Sequence, residues 1–166
     1  MRITNIVTRG CVNTPLDLCQ LAREFPDVTY RPEKFSAAVW RHKDITGTLM
    51  IFSTGSLLHL GKPDGEPSET HMKKYLDILL QYGYEDLKLH NVKCATMSAT
   101  HTLSGKMKLD TIPGADYDPE FFNGAILRRG SMVFCIFHTG SVSITGIKNV
   151  DDVYPILLEL ELFTYM

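Results

Sequence analysis

Short stretches of alternating apolar and polar residues run along this chain, separated by two segments with helical spacing. Alternation with period two marks half-buried strands, and recurrence every three to four residues marks helices with one buried face. Ile3 to Thr8 predicts a first strand. Thr14 and Pro15 then precede an apolar stripe at Leu18, Leu21, Ala22 and Phe25, which predicts a helix capped by Thr14. A meander follows over Phe35 to Arg41, Thr48 to Phe52 and Leu57 to Leu60, with turns at Asp44–Gly47 and Ser53–Ser56. Ser68 is placed to cap a second helix, whose face carries Met72, Tyr75, Leu79 and Tyr82 and which Gly83 stops.

The same order then returns. LMIFSTGSLLHLG (Leu49 to Gly61) matches FCIFHTGSVSITG (Phe134 to Gly146) at an offset of 85. YRPEKFSAAVWR (Tyr30 to Arg41) matches YDPEFFNGAILR (Tyr117 to Arg128) at an offset of 87, and Asn5-Ile6-Val7 aligns with Asn91-Val92-Lys93 at an offset of 86. With Phe52/Phe137, Gly55/Gly140 and Gly61/Gly146 in the first match and these two stretches, five anchors in one order indicate duplication. The second copy predicts a strand over Leu89 to Thr96, a first helix interrupted by Pro113-Gly114, and a last helix from about Val153 with Asp151 and Asp152 at its positive end. Two repeats, residues 1–83 and 84–166, then share one antiparallel sheet with helices segregated on one face, an α+β architecture. In each repeat Met50 and Phe52, Leu58 and Leu60, Cys135 and Phe137, or Ser143 and Thr145 share the face away from the helices.

Composition narrows the function classes. Lys and Arg total 17 against 19 Asp and Glu, a net charge of −2. No apolar run approaches the roughly 18 residues of a membrane helix. Cys11, Cys19, Cys94 and Cys135 form no C-x-x-C pair and are expected as buried thiols, with no metal or cofactor. The six histidines form no H-x-x-x-H motif, and neither a phosphate-binding loop nor a nucleophile elbow is present, so an enzyme is not expected.

YRPEKFSAAVWR, LMIFSTG, YDPEFFNGAILR and CIFHTGSVSITG resemble the signature stretches of the TATA-box-binding protein family. The resemblance implies a pseudo-two-fold saddle whose curved sheet carries its helices on the convex face and lays its concave face on the DNA minor groove. It implies four phenylalanine wedges at Phe35, Phe52, Phe122 and Phe137, and central polar contacts from Asn5, Asn91 and Thr145, with Leu60 at the fourth such position. Val7, Met50 and Leu58 would supply apolar contacts, and Arg41, Arg128 and Lys148 phosphate contacts. Asp118, Glu120 and Phe121 match a docking loop for a transcription factor IIB-like protein.

The chain departs from this pattern at several sites. Lys93, Cys135 and Ser143 stand where aliphatics are expected, and Ser56 and Ser141 where bases are expected. The convex helix is only weakly basic, with His71, Lys73 and Lys74 set against Glu69 and Asp77. The expected function is a general initiation factor, nuclear or at a viral or archaeal site of transcription, that kinks A·T-rich promoter DNA and recruits a IIB-type factor, RNA polymerase and further initiation factors. The alternative is a saddle-fold protein scaffold with little DNA affinity of its own.

Overall fold

Backbone hydrogen bonding in the computed structural model, which describes all 166 residues, organises the chain into antiparallel strands with helices packed on one side. Two units pack independently, Asn5–Ala95 and Met1–Thr4 with Thr96–Met166. The division falls inside the two long strands rather than at Gly83.

The first unit contains most of β1 (Arg2–Val12), then α1 (Leu18–Glu24), β2 (Val28–Thr29), β3 (Ala38–Trp40), β4 (Thr48–Ile51), β5 (Ser56–Gly61) and α2 (Ser68–Gln81). Its strands lie in the order β2-β3-β4-β5-β1. Residues of one parity are buried (Thr8, Gly10 and Val12 on β1, Leu49 and Ile51 on β4, Leu57 and His59 on β5), while their neighbours are half-buried or exposed. α2 turns His71, Met72, Tyr75, Leu76 and Leu79 inward, which is the helical spacing of a single buried stripe. Gly10 admits this close approach, because a Cβ there would lie 3.1 Å from Met72 Cε. Trp40 is fully buried between Phe25, at 5.0 Å between ring centroids, and Tyr75, at 4.9 Å. The Tyr75 hydroxyl donates to Gly47 O at 2.9 Å and accepts from His42 N at 3.2 Å, so the core carries its one phenol with both bonds made.

The helix starts differ from the sequence expectation. Asp17, not Thr14, caps α1, accepting from Gln20 N at 3.2 Å, and Pro15 lies ahead of the helix. A carboxylate one turn nearer the stripe satisfies the free N–H groups directly. Ser68 is the first helical residue of α2 rather than its cap, and Tyr82 is exposed beyond the helix end.

The second unit contains the latter half of β6 (Leu89–Thr102), then β7 (Lys106–Met107), β8 (Ala125–Arg129), β9 (Met132–Ile136), β10 (Ser141–Ile147), α3 (Val153–Glu161) and β11 (Thr164–Tyr165). Its strands lie in the order β6-β10-β9-β8, with β7 and β11 forming a separate pair. Val142, Ile144, Phe134, Ile136, Ala125 and Leu127 are buried against Val153, Leu157 and Leu160 of α3. No α-helix forms between β6 and β8; only a short 3-10 turn at Leu109–Thr111 replaces it, as Pro113-Gly114 foreshadows. The cysteines are not buried as expected: Cys19 and Cys94 are exposed and Cys11 and Cys135 half-buried, with no disulfide.

A pair of stacked imidazoles lies under β5. His59, 1% exposed, donates from Nε2 to Thr46 O at 2.9 Å, and its ring stacks on His71 at 5.4 Å. His71 Nε2 bonds Asp64 at 3.0 Å. Burial lowers the His59 pKa from 6.5, while the bond from His71 holds Asp64 at about 2. A buried neutral histidine binds fewer protons folded than unfolded, so stability falls as pH drops below 6.5. His59→Gln keeps the donor to Thr46 and removes the titration. Denaturant unfolding of this variant should lose less stability than wild type between pH 6.5 and 5; an unchanged slope would assign the acid sensitivity elsewhere.

Candidate nucleic-acid interface

The strand face opposite the helices is left uncovered in each unit. In the first unit it presents Asn5, Val7, Arg9 and Cys11 from β1, Ser56, Leu58 and Leu60 from β5, Thr48 and Met50 from β4, and Val39 from β3, all half-buried or exposed. Cross-strand pairing sets Val7 opposite Leu60 and Arg9 opposite Leu58, so the expected apolar trio of Val7, Met50 and Leu58 does share one surface. Arg9 is a residue that motif matching missed. Alternation from Asn5 through Val7 was the available signal. It lines a shallow groove with Phe52, Ser56 and Leu58, and a second with Cys11, Asn91 and Lys93.

Strand register corrects one expected equivalence. Cys11 lies opposite Ser56 on β5, while Thr102 lies opposite the matching Ser141 on β10. The bonds Val12 N to Gly55 O and Leu103 N to Gly140 O, both 2.8 Å, repeat the same relation. β6 is therefore displaced from β1 by 91 residues, not 86, and the structural counterparts of Asn5 and Val7 are Thr96 and Ser98. Asn91 instead stands at φ 55° with its Nδ2 3.8 Å from Cys11 Sγ, and Lys93 is exposed near it. Absence of the helix after β6 shortens the connection to β8, and the displaced Asn91-Val92 resembles the first copy by sequence alone. The open face of the second unit then presents Ser98, Thr100 and Thr102 on β6, Ser141, Ser143 and Thr145 on β10, Val133 and Cys135 on β9, and Ile126 on β8.

Four phenylalanines border these faces in two matching pairs. Phe35 and Phe52 approach edge to face at 6.4 Å and 66°; Phe122 and Phe137 do so at 5.9 Å and 70°. Phe35 N bonds Arg31 O and Phe122 N bonds Asp118 O, closing the same turn after Tyr30 and Tyr117. Phe52 N bonds Ser56 O and Phe137 N bonds Ser141 O, each at 2.9 Å, and Gly55 and Gly140 complete these turns at φ 99° and 92°. Only glycine takes that conformation freely. Phe35 is 45% exposed and Phe122 42%, which is unusual for rings with core partners available.

Charge around these faces is sparse. Arg9, Arg41, Lys93, Arg128 and Lys148 are exposed, and Arg129 pairs with Glu159 at 3.0 Å. On the loop before Phe122, Phe121 is 86% exposed, Glu120 projects beside it, and Asp118 Oδ1 accepts from Glu120 N at 3.2 Å.

The family model described as transcription factor TFIID, or TATA-binding protein, matches residues 1–82 and 91–159. The chain belongs to the TATA-binding protein family. It is 33% identical over 159 residues to a TATA-box-binding protein of Methanothermococcus thermolithotrophicus, covering 93% of this chain and 88% of that one. A TATA-box-binding protein of Tetrahymena thermophila is 28% identical, with 92% and 64% covered. The solved structure of Methanococcus jannaschii TBP superposes with a TM-score of 0.81 at 28% identity, covering 98% of this chain and 96% of that one. The α+β fold expected from the repeat is thus the fold of the family.

Half-exposed rings outside the buried core should matter little to folding. Phe35→Ala or Phe122→Ala should cost roughly 1 kcal/mol or less, against about 3–5 kcal/mol for the fully buried Phe134→Ala. Thermal and urea unfolding distinguish them; comparable losses would make the pairs core residues.

Proposed function

We propose that the chain binds A·T-rich promoter DNA in the minor groove through the open face of each unit and acts as a general transcription initiation factor. The observation that carries this reading is the pair of half-exposed phenylalanines at matching turns of both repeats. A flat apolar ring with no polar atom to desolvate is suited to entering an opened base step. Phe35 and Phe52 would wedge at one end of the bound element and Phe122 and Phe137 at the other, kinking the duplex.

Between the wedges, Asn5 and Thr145 would address the acceptors that A·T and T·A pairs share. Val7, Met50 and Leu58 would cover the groove floor. Arg41, Arg128 and Lys148 would contact phosphates, and Arg9, exposed on the same face as Val7, would serve as a groove-side cation. Asn91 keeps a place near this surface, beside Arg9, without being the partner of Asn5. The loop of Asp118, Glu120 and Phe121 would dock a IIB-like factor, which recruits RNA polymerase. The activity implies no cofactor or catalysis, and a nuclear location or another site of transcription.

A second reading, a protein scaffold with little DNA affinity, draws on the net charge of −2 and on Ser56 and Ser141 at turns beside the wedges. Gel-shift titration of an A·T-rich duplex, with and without a IIB-type protein, separates the two. Wild type should bind, and Phe52→Ala and Phe137→Ala should each weaken binding by on the order of 1–3 kcal/mol and reduce the bend seen by fluorescence transfer between duplex ends. An identical bend in wild type and both variants would remove the wedges from the mechanism.

Salt dependence should be shallow. Arg9, Arg41, Lys93, Arg128 and Lys148 would be the contacting cations, and each phosphate neutralised adds about 0.9 to the log–log slope. A slope magnitude below about 5 is expected; a much steeper one would reveal a basic surface elsewhere.

A further inference from the structure

The two units carry different chemistry on structurally equivalent positions. On the second unit, every open-face position of β6 from Ser98 to Thr102 and of β10 from Ser141 to Thr145 bears a hydroxyl: Ser98, Thr100, Thr102, Ser141, Ser143 and Thr145. They lie side by side, Thr100 opposite Ser143 and Thr102 opposite Ser141. Ser141 makes one long contact, 3.4 Å from Thr139 Oγ1, and the hydrogen-bonding capacity of the other five is unspent within the chain. The same positions on the first unit are Val7, Arg9, Cys11, Ser56, Leu58 and Leu60, with a single hydroxyl among them.

Sequence alignment hid this contrast, because pairing Asn91 with Asn5 placed Lys93 rather than Ser98 at the position equivalent to Val7. Only the 91-residue register collects the hydroxyls on one surface.

A hydroxyl both donates and accepts. In the minor groove, A·T and T·A pairs offer acceptors only, whereas G·C adds the guanine 2-amino donor. An aliphatic face covering that donor leaves it desolvated without a partner, which is costly, while a hydroxyl face can bond it. We infer that the hydroxyl surface of β6 and β10 is a specificity element that accepts G·C pairs in its half of the bound site, while the Val7, Leu58 and Leu60 surface demands A·T. This rests on the minor-groove reading above and adds to it a substrate class: A·T elements carrying G·C in one half only.

The test must allow for reorientation, since a chain with unlike halves can turn round on a symmetric A·T element. Binding to an eight-base-pair A·T duplex is measured by anisotropy, beside duplexes with one G·C in either half and with one in each half. A single G·C in either half should cost less than about threefold, because the hydroxyl surface turns to meet it. One in each half cannot be avoided and should cost tenfold or more. Replacing both guanines by inosine, which lacks the 2-amino group, should restore A·T-level affinity. The Thr100→Val, Ser143→Ala double variant, altered only on the open face, should lose about tenfold more affinity for the single-G·C duplexes than for the A·T duplex, relative to wild type. Log losses that simply add from one G·C to two, or no loss with two, would overturn the inference while leaving minor-groove binding intact. Absence of binding to every duplex, the A·T element included, would overturn both.

Discussion

Everything distinctive about this protein depends on burial from one side only. Alternate residues of the strands are buried in the cores that α2 and α3 help to form, and the intervening residues are half-buried or exposed. A strand so placed must carry apolar residues at one parity, which fixes its facing and makes slippage by one residue prohibitive. The other parity is released from packing and can take whatever chemistry binding demands. The face with Leu57 and His59 is therefore constrained by the core, whereas the face with Leu58 and Leu60 is a record of function.

That freedom explains how the copies diverged. Their cores stayed alike in position, from Leu49, Ile51 and Leu57 in one to Phe134, Ile136 and Val142 in the other. Their turns stayed alike as well, since Gly55 and Gly140 both hold a left-handed backbone that presents a phenylalanine at the edge of the open face. The surfaces between those turns separated into an apolar one and a hydroxyl one without any cost to the fold. Loss of the helix after β6 is the larger change, and the second core makes up the space with Leu103, Met107, Leu109 and Ile112 from the connecting segment.

Local periodicity is written in the residues themselves, so the duplication, the alternation of the strands, the stripe of α2 and the four phenylalanines were all legible in the sequence. Membership of the family followed from the same short stretches. Register was not legible, because it is fixed by hydrogen bonds between strands about 40 residues or more apart in the chain, and a shortened connection leaves no mark on a motif of three residues. The tertiary structure alone decided that Thr96 and not Asn91 answers Asn5, that Arg9 pairs across the sheet with Leu58, that Asp17 caps α1, and that the thiols are accessible. The sequence on its own determined which face of each strand is free; the fold determined which residues meet on it, since neighbours across a sheet are set by pairing and not by proximity along the chain.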